Sequence, residues 1–195
     1  MILGVAGAPG TGKTHYLRHA IRRALDDGHT VWIVDDLPAD DSQAVSYGLL
    51  GRRLTVREIA SGSPPLVIFG ERDTFADVLG AAASFRNVVL VVDEVTLYLP
   101  SGGREKLPRA MERWLRLHRH YGVALWWATQ TIRDANRFLV RLTDQLALFR
   151  MAGKEDVDYL ASWGLPAEVV RNLPARSRVV VSPGDPSAFR VMPPV

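Results

Sequence analysis

No cysteine occurs anywhere in the 195 residues, which excludes disulfides and thiolate metal sites and fits a reducing compartment. Lysine is scarce as well: Lys13, Lys106 and Lys154 are the whole complement, and arginine supplies the rest of the 24 cations. No apolar run approaches the roughly 18 residues that a bilayer-crossing helix needs, so no intrinsic membrane span is expected. The N-terminus reads as a core strand rather than a cleaved leader. His15, His19, His118 and His120 fall on expected helices without other metal-type ligands clustered beside them, so solvated or capping roles are expected for them. There is no internal repeat, low-complexity tract or linker. The chain is therefore expected to be one domain over 1–195, with its core in 1–151 and a C-terminal helix and hairpin in 152–195. Neither charge sign dominates strongly, since 24 cations against 21 acids leave a net +3.

What is present begins at the first residues. Ile2 to Ala6 is a short apolar run, read as a buried strand, and GAPGTGKT follows from Gly7 to Thr14. This is the phosphate-binding pattern G-x-x-x-x-G-K-[ST]. Its glycines at 7, 10 and 12 allow a tight turn that brings backbone N–H groups to phosphate oxygens. Lys13 can reach the β- and γ-phosphates of a nucleotide, and the Thr14 hydroxyl can ligate Mg²⁺. A helix from Lys13 to about Asp27, stopped by Gly28, would aim its positive end at the same anion. The expected nucleotide-binding set is Gly7, Ala8, Pro9, Gly10, Thr11, Gly12, Lys13, Thr14 and His15.

Further strand-like runs alternate with helical ones, the pattern of a mainly parallel α/β sheet flanked by helices. Strands are expected at Val31–Val34, Leu66–Phe69, Val88–Val92, Val123–Thr129 and Leu146–Met151. Helices are expected near 56–61, 73–84, 108–120 and 155–163. The tail around PGDPS reads as a hairpin.

Two strand ends carry the chemistry that a phosphate loop alone leaves open. VVLVVDE delivers Asp93 to the metal shell and places Glu94 next to it, where a carboxylate can activate water for attack on the γ-phosphate. VALWWATQ ends on Gln130, at the carboxyl edge of the sheet where open α/β folds bind ligands. That amide is suited to sensing the γ-phosphate or orienting the water. Trp126 and Trp127 read as core. Arg104, Lys106, Arg109, Arg113, Arg116 and Arg119 crowd one segment, a surface suited to phosphate backbone. Arg104, Lys106, Arg109 and Arg113 are the DNA-binding candidates. Arg119 stands before the strand, badly placed for its own phosphate loop and well placed for a neighbour's, as an arginine finger would be. Arg133 is the second candidate for that role.

The order GAPGTGKT, VVLVVDE, a basic helix ending RHYG and a strand ending ATQ resembles the HerA–FtsK superfamily. The resemblance implies a RecA-like P-loop NTPase domain of the additional-strand, catalytic-glutamate type, using ATP and Mg²⁺. It implies a hexameric ring that pumps double-stranded DNA without reading its sequence, with Arg119 as the trans-acting finger. In size the chain looks most like the genome-packaging ATPases of tailless viruses with an internal membrane. That likeness implies capsid-vertex or viral-membrane partners, and a place in the host cytoplasm or the virion. The residues also leave room for a nucleoside or nucleotide kinase, a filamentous-phage-type assembly ATPase, or a helicase-loader-type switch.

Overall fold

A computed structural model describes residues 1–35, 51–61, 64–70, 74–99, 101 and 107–194, the side chains of residues 60 and 61 excepted. Nine strands form one sheet in the order β3-β4-β2-β5-β6-β1-β7-β8-β9. They are β1 (Ile2–Ala6), β2 (Thr30–Val34), β3 (Arg52–Arg53), β4 (Leu66–Phe69), β5 (Val88–Val92), β6 (Val123–Thr129), β7 (Gln145–Phe149), β8 (Arg178–Ser182) and β9 (Asp185–Met192). The helices are α1 (Lys13–Asp26), α2 (Phe75–Ser84), α3 (Arg109–Leu117), α4 (Arg137–Leu142), α5 (Lys154–Ser162) and α6 (Ala167–Arg171). Contacts gather the chain into two units, one of 1–13, 94–108 and 127–195, the other of 14–93 and 109–126.

The unit that contains α1 is built on parallel pairs: β3 with β4, β4 with β2, and β2 with β5. Every residue of β5 is buried, as a run of five aliphatics requires of a central parallel strand. Trp32 of β2 fills the space beside it, with Phe69 and Phe85 edge-on at 5.2 and 5.0 Å between ring centroids. Helix α1 buries Leu17, Ile21 and Ala24, an apolar stripe along one helical face, while Leu25 at its edge is half-buried. Thr74 caps α2 and Asp77 answers in a capping box, so that helix starts one turn's worth of hydrogen bonds ahead.

The other unit joins β1 to β7 in parallel, pairing Leu3 with Gln145 and Ala6 with Leu148. From β7 outward the pairing turns antiparallel, through β8 to β9, and the expected C-terminal hairpin is present with a register irregularity between Val180 and Ser182. Asp144 fixes the start of β1, its carboxylate accepting from the Ile2 N–H at 2.7 Å. Trp127 is fully buried, and its indole N–H donates to Thr143 Oγ1 at 3.1 Å, which satisfies its one polar atom.

The expected strands are present, and one helix and one strand end short of the expected residue. Helix α3 stops at Leu117 because residues 118–122 fold back as a turn, with Val123 N–H donating to His118 O at 3.0 Å and Gly122 at φ +66. Strand β7 stops at Phe149, and the next carbonyl, of Arg150, serves the phosphate loop instead. The two-residue β3 and the five-residue α6 are too short to show a period in sequence. Among the described residues, no helix is long and apolar enough to cross a membrane.

Candidate nucleotide-binding and catalytic site

The phosphate loop is anchored on both flanks within its unit. Gly7 N–H donates to Thr129 O, at the end of β6, at 3.3 Å, and Ala8 N–H donates to Arg150 O, just past β7, at 3.1 Å. A Cβ on Gly7 would lie 2.6 Å from Phe149 Cβ, so only glycine admits this approach. The loop then closes on itself, since Thr11 Oγ1 donates to Ala8 O at 2.7 Å. Gly12 takes φ +113, a conformation that side chains disfavour, as the chain turns into α1. Lys13 Nζ arches back over the loop, donating to Gly7 O at 2.6 Å and Ala8 O at 3.1 Å. Pro9 and Gly10 form the exposed tip.

Glu94 is the second centre of this unit. Its backbone is left-handed, at φ 48 and ψ 66, a conformation costing a non-glycine residue on the order of 1 kcal/mol. The return for that strain is a carboxylate held at three points. Oε1 accepts from Thr96 Oγ1 at 2.6 Å and from Thr129 Oγ1 at 2.9 Å, while Oε2 accepts from the Gln130 N–H at 3.2 Å. Thr129 is fully buried, and its hydroxyl also lies 3.1 Å from Thr131 O and accepts from Thr131 N–H at 3.3 Å. The hydroxyl has one proton for two acceptors, so its bond to Glu94 competes with a bond to Thr131 O. The structure thus ties the end of β6 to the carboxylate that follows β5. Gln130 joins this arrangement through its backbone, and its side chain is exposed.

Arg133 lies in another network. Its guanidinium pairs with Glu155 and, at 3.2 Å, with Asp134, and these two acids raise its pKa. Its backbone N–H donates to Asp156 Oδ1 at 3.2 Å. Burial pushes the Asp156 carboxyl up, against the pull of that hydrogen bond. Arg133 therefore serves the junction between the segment after β6 and α5, where its charge is already answered.

The α1-containing unit holds the remaining candidates. Thr14 is exposed at the start of α1, followed by His15, whose ring meets His19 edge-on at 4.6 Å. Asp93 is half-buried just past β5, its N–H donating to Val34 O at 3.3 Å. A hydroxyl and a carboxylate are hard oxygen donors that fit Mg²⁺. Among the described residues there is no cluster of three or more His, Cys, Asp or Glu that would form an all-protein cage.

Arg119 is exposed in the turn after α3. The same turn brings Gly122 against Arg86 and Asn87, at the start of β5, where a Cβ would lie 3.6 Å from Asn87 N. Asp93 is at the opposite end of that strand, roughly 20 Å away at 3.3 Å per residue. An arginine side chain does not span that gap. On α3, Arg109 and Arg113 are exposed while Trp114 and Leu115 are buried, and Arg116 pairs with Glu112 at 2.9 Å. Arg104 and Lys106 lie outside the described residues, as does most of the loop around them.

Thr96 was not visible as a site residue from sequence, and Thr129 was visible only as a polar strand end. The signal that could have found them is a hydroxyl close in sequence to each of the two candidate residues, Glu94 and Gln130.

No family model and no curated protein matches the chain. Solved structures do. The genome-packaging NTPase B204 from Sulfolobus turreted icosahedral virus 2, in complex with AMPPCP, matches with a TM-score of 0.84 at 19% identity, covering 100% of this chain and 97% of that one. VirB4 of Thermoanaerobacter pseudethanolicus matches with a TM-score of 0.68 at 11% identity, over 97% and 88% of the two chains. The N-terminal domain of zonular occludens toxin from Neisseria meningitidis matches with a TM-score of 0.54 at 14% identity, over 98% and 91%. The chain has the P-loop NTPase fold of B204, as its loop and strand ends imply.

Proposed function

We propose that this chain is an ATPase that drives double-stranded DNA, and that it packages a viral genome into a preformed capsid. The observation that carries the hydrolase reading is Glu94, a carboxylate just past β5 held by the hydroxyls of Thr96 and Thr129 and by the Gln130 N–H. A kinase passes the γ-phosphoryl group to a bound substrate and has no use for a water-activating carboxylate. The packaging reading is supported by the near-complete overlap in fold with B204, itself a genome-packaging NTPase.

In this reading the N–H groups of Gly7–Thr14 and the Lys13 ammonium hold the phosphates of ATP. Thr14 and Asp93 would hold Mg²⁺, which would supply neutralisation of phosphate charge. Glu94 accepts a proton from water as the water oxygen bonds to the γ-phosphorus and the β–γ bridging oxygen leaves with ADP. Gln130 orients that water by its exposed amide, and its backbone passes any shift of Glu94 to the end of β6. Arg119 completes the site of a neighbouring subunit, which makes a closed ring, a hexamer, the working assembly. Exposed Arg109 and Arg113, together with Arg104 and Lys106, grip phosphate backbone without reading bases. Its place of action is the capsid vertex, in the infected cell or the virion.

Two expectations test this. Thr129→Val removes the hydroxyl while keeping the shape, and kcat is expected to fall about tenfold with KM unchanged, a barrier change near 1.4 kcal/mol. Thr129→Ser should restore most of the rate; a valine variant with wild-type kcat would remove Thr129 from the positioning of Glu94. The second concerns DNA. Stimulation of hydrolysis by linear duplex should collapse as salt rises, because binding through 6–10 phosphates weakens by about 10³–10⁵ between 50 and 200 mM salt. Salt-independent stimulation, or a phosphorylated nucleoside as product, would contradict the proposal.

A further inference from the structure

The flank of the phosphate loop away from Glu94 carries two arginines that the mechanism above does not use. Strand β7 runs beside β1, and the residue that follows it, Arg150, accepts the Ala8 N–H on its carbonyl at 3.1 Å. Its side chain is exposed. The second is Arg176, in the turn that leads into β8. Ser177 N–H donates to Pro174 O at 3.1 Å, which makes residues 174–177 a tight turn with Arg176 at its third position. There Arg176 adopts φ 61, a left-handed value that suits glycine or asparagine at that point of a turn and costs arginine about 1 kcal/mol.

What the strained turn does with Arg176 is lay it on the phosphate loop. A Cβ built on Gly12 would lie 3.5 Å from both Cα and Cγ of Arg176, and 3.4 Å from Phe149 Cε1. The arginine stem thus packs over the residue that precedes Lys13. Neither guanidinium makes a hydrogen bond or ion pair with a described residue, in contrast to Arg133 with its two carboxylates. Two cations placed beside separate strands on a loop built to hold anions, and without an acid partner among the described residues, define an anion-facing wall.

We propose that Arg150 and Arg176 bind the phosphate chain of the chain's own nucleotide from the β7 side, toward its non-reacting α-phosphate end. This rests on the nucleotide-binding reading of Gly7–Thr14 and is independent of any role in moving DNA. The reacting γ-phosphate belongs with Glu94 and Gln130 on the β6 side of β1, so the opposite flank receives the other end. The phosphates rather than the base are the ligand, because Arg150 is tied to the loop at Ala8 through its carbonyl and the Arg176 stem lies beside Gly12. A guanidinium offers a planar pair of donors that matches two phosphate oxygens, which a lysine does not.

The test uses Arg176→Gly, because glycine relieves the left-handed φ while removing the guanidinium. Its melting temperature is expected to stay level or rise, yet ADP and tripolyphosphate should each bind about tenfold or more weakly than to wild type. Steady-state hydrolysis should show a raised KM and an unchanged kcat, since the contact is made equally in ground and transition states. Arg176→Lys should recover only part of the affinity, and Arg150→Ala should add a further loss. ADP and tripolyphosphate affinities equal to wild type would overturn the proposal, as would an ADP loss without a tripolyphosphate loss, which would move the contact to the base. Wild-type protein that binds neither ligand would instead overturn the nucleotide-binding reading beneath it.

Discussion

Glu94→Gln is expected to bind ATP as tightly as wild type and to hydrolyse it about 10²–10⁴ times more slowly, the usual contribution of a positioned general base. The geometry explains why the variant should fold. A glutamine at this position can turn its carbonyl oxygen toward the Gln130 N–H and its amide toward the hydroxyls of Thr96 and Thr129, which accept as well as donate. All three hydrogen bonds survive, and so does the left-handed backbone they hold. What is lost is the capacity to take a proton. Single-turnover hydrolysis measured beside equilibrium ATP binding separates the two effects. Weak ATP binding by the variant would mean that Glu94 contributes to affinity, and normal turnover would remove it from the mechanism altogether.

The second large effect concerns Arg119. A trans-acting arginine contributes about 10³–10⁵ to turnover, so Arg119→Ala assembled alone is expected to be nearly inactive. Its turn packs at the start of β5, with Asp93 at the other end of the strand, so its own subunit is the wrong destination for its charge. Mixing provides the discriminating readout. Lys13→Ala subunits lack a working phosphate loop but keep Arg119, and Arg119→Ala subunits keep the loop. Wherever the first type donates its arginine to the second, a complete site forms, and part of the activity should return in a ratio-dependent way. No recovery at any ratio would assign Arg119 to a role within its own subunit. Arg133→Ala should behave differently, losing little turnover, because its guanidinium is committed to Asp134 and Glu155.

How far sequence carried these assignments depends on how locally each residue is determined. The central strands were legible because runs such as VVLVV and VALWWAT are apolar enough to demand burial on both faces. The phosphate loop was legible because its function depends on backbone shape, and glycine positions report backbone shape directly. The end of α3 was not, because the turn at His118–Gly122 is set by a hydrogen bond to Val123 and a positive φ, not by any break in periodicity. The holding of Glu94 was hidden for a different reason. Its partners Thr129 and Gln130 lie 35 and 36 residues further along, and only the sheet brings them together. Arg176 was hidden most thoroughly, since an arginine at a glycine-type turn position looks like any other surface cation until its backbone is seen. Arg104 and Lys106, chosen from the sequence by charge alone, fall outside the described residues, and their part in gripping DNA is a proposal.

The central claim is that one nucleotide site, completed between subunits, converts ATP hydrolysis into work on duplex DNA. The most direct measurement is the rate of ATP hydrolysis with and without linear double-stranded DNA, on protein whose assembly state is sized in the same samples. The account predicts low turnover by the monomer and turnover stimulated by duplex in fractions that contain a ring. Hydrolysis at full rate by a monomer, indifferent to DNA, would contradict it.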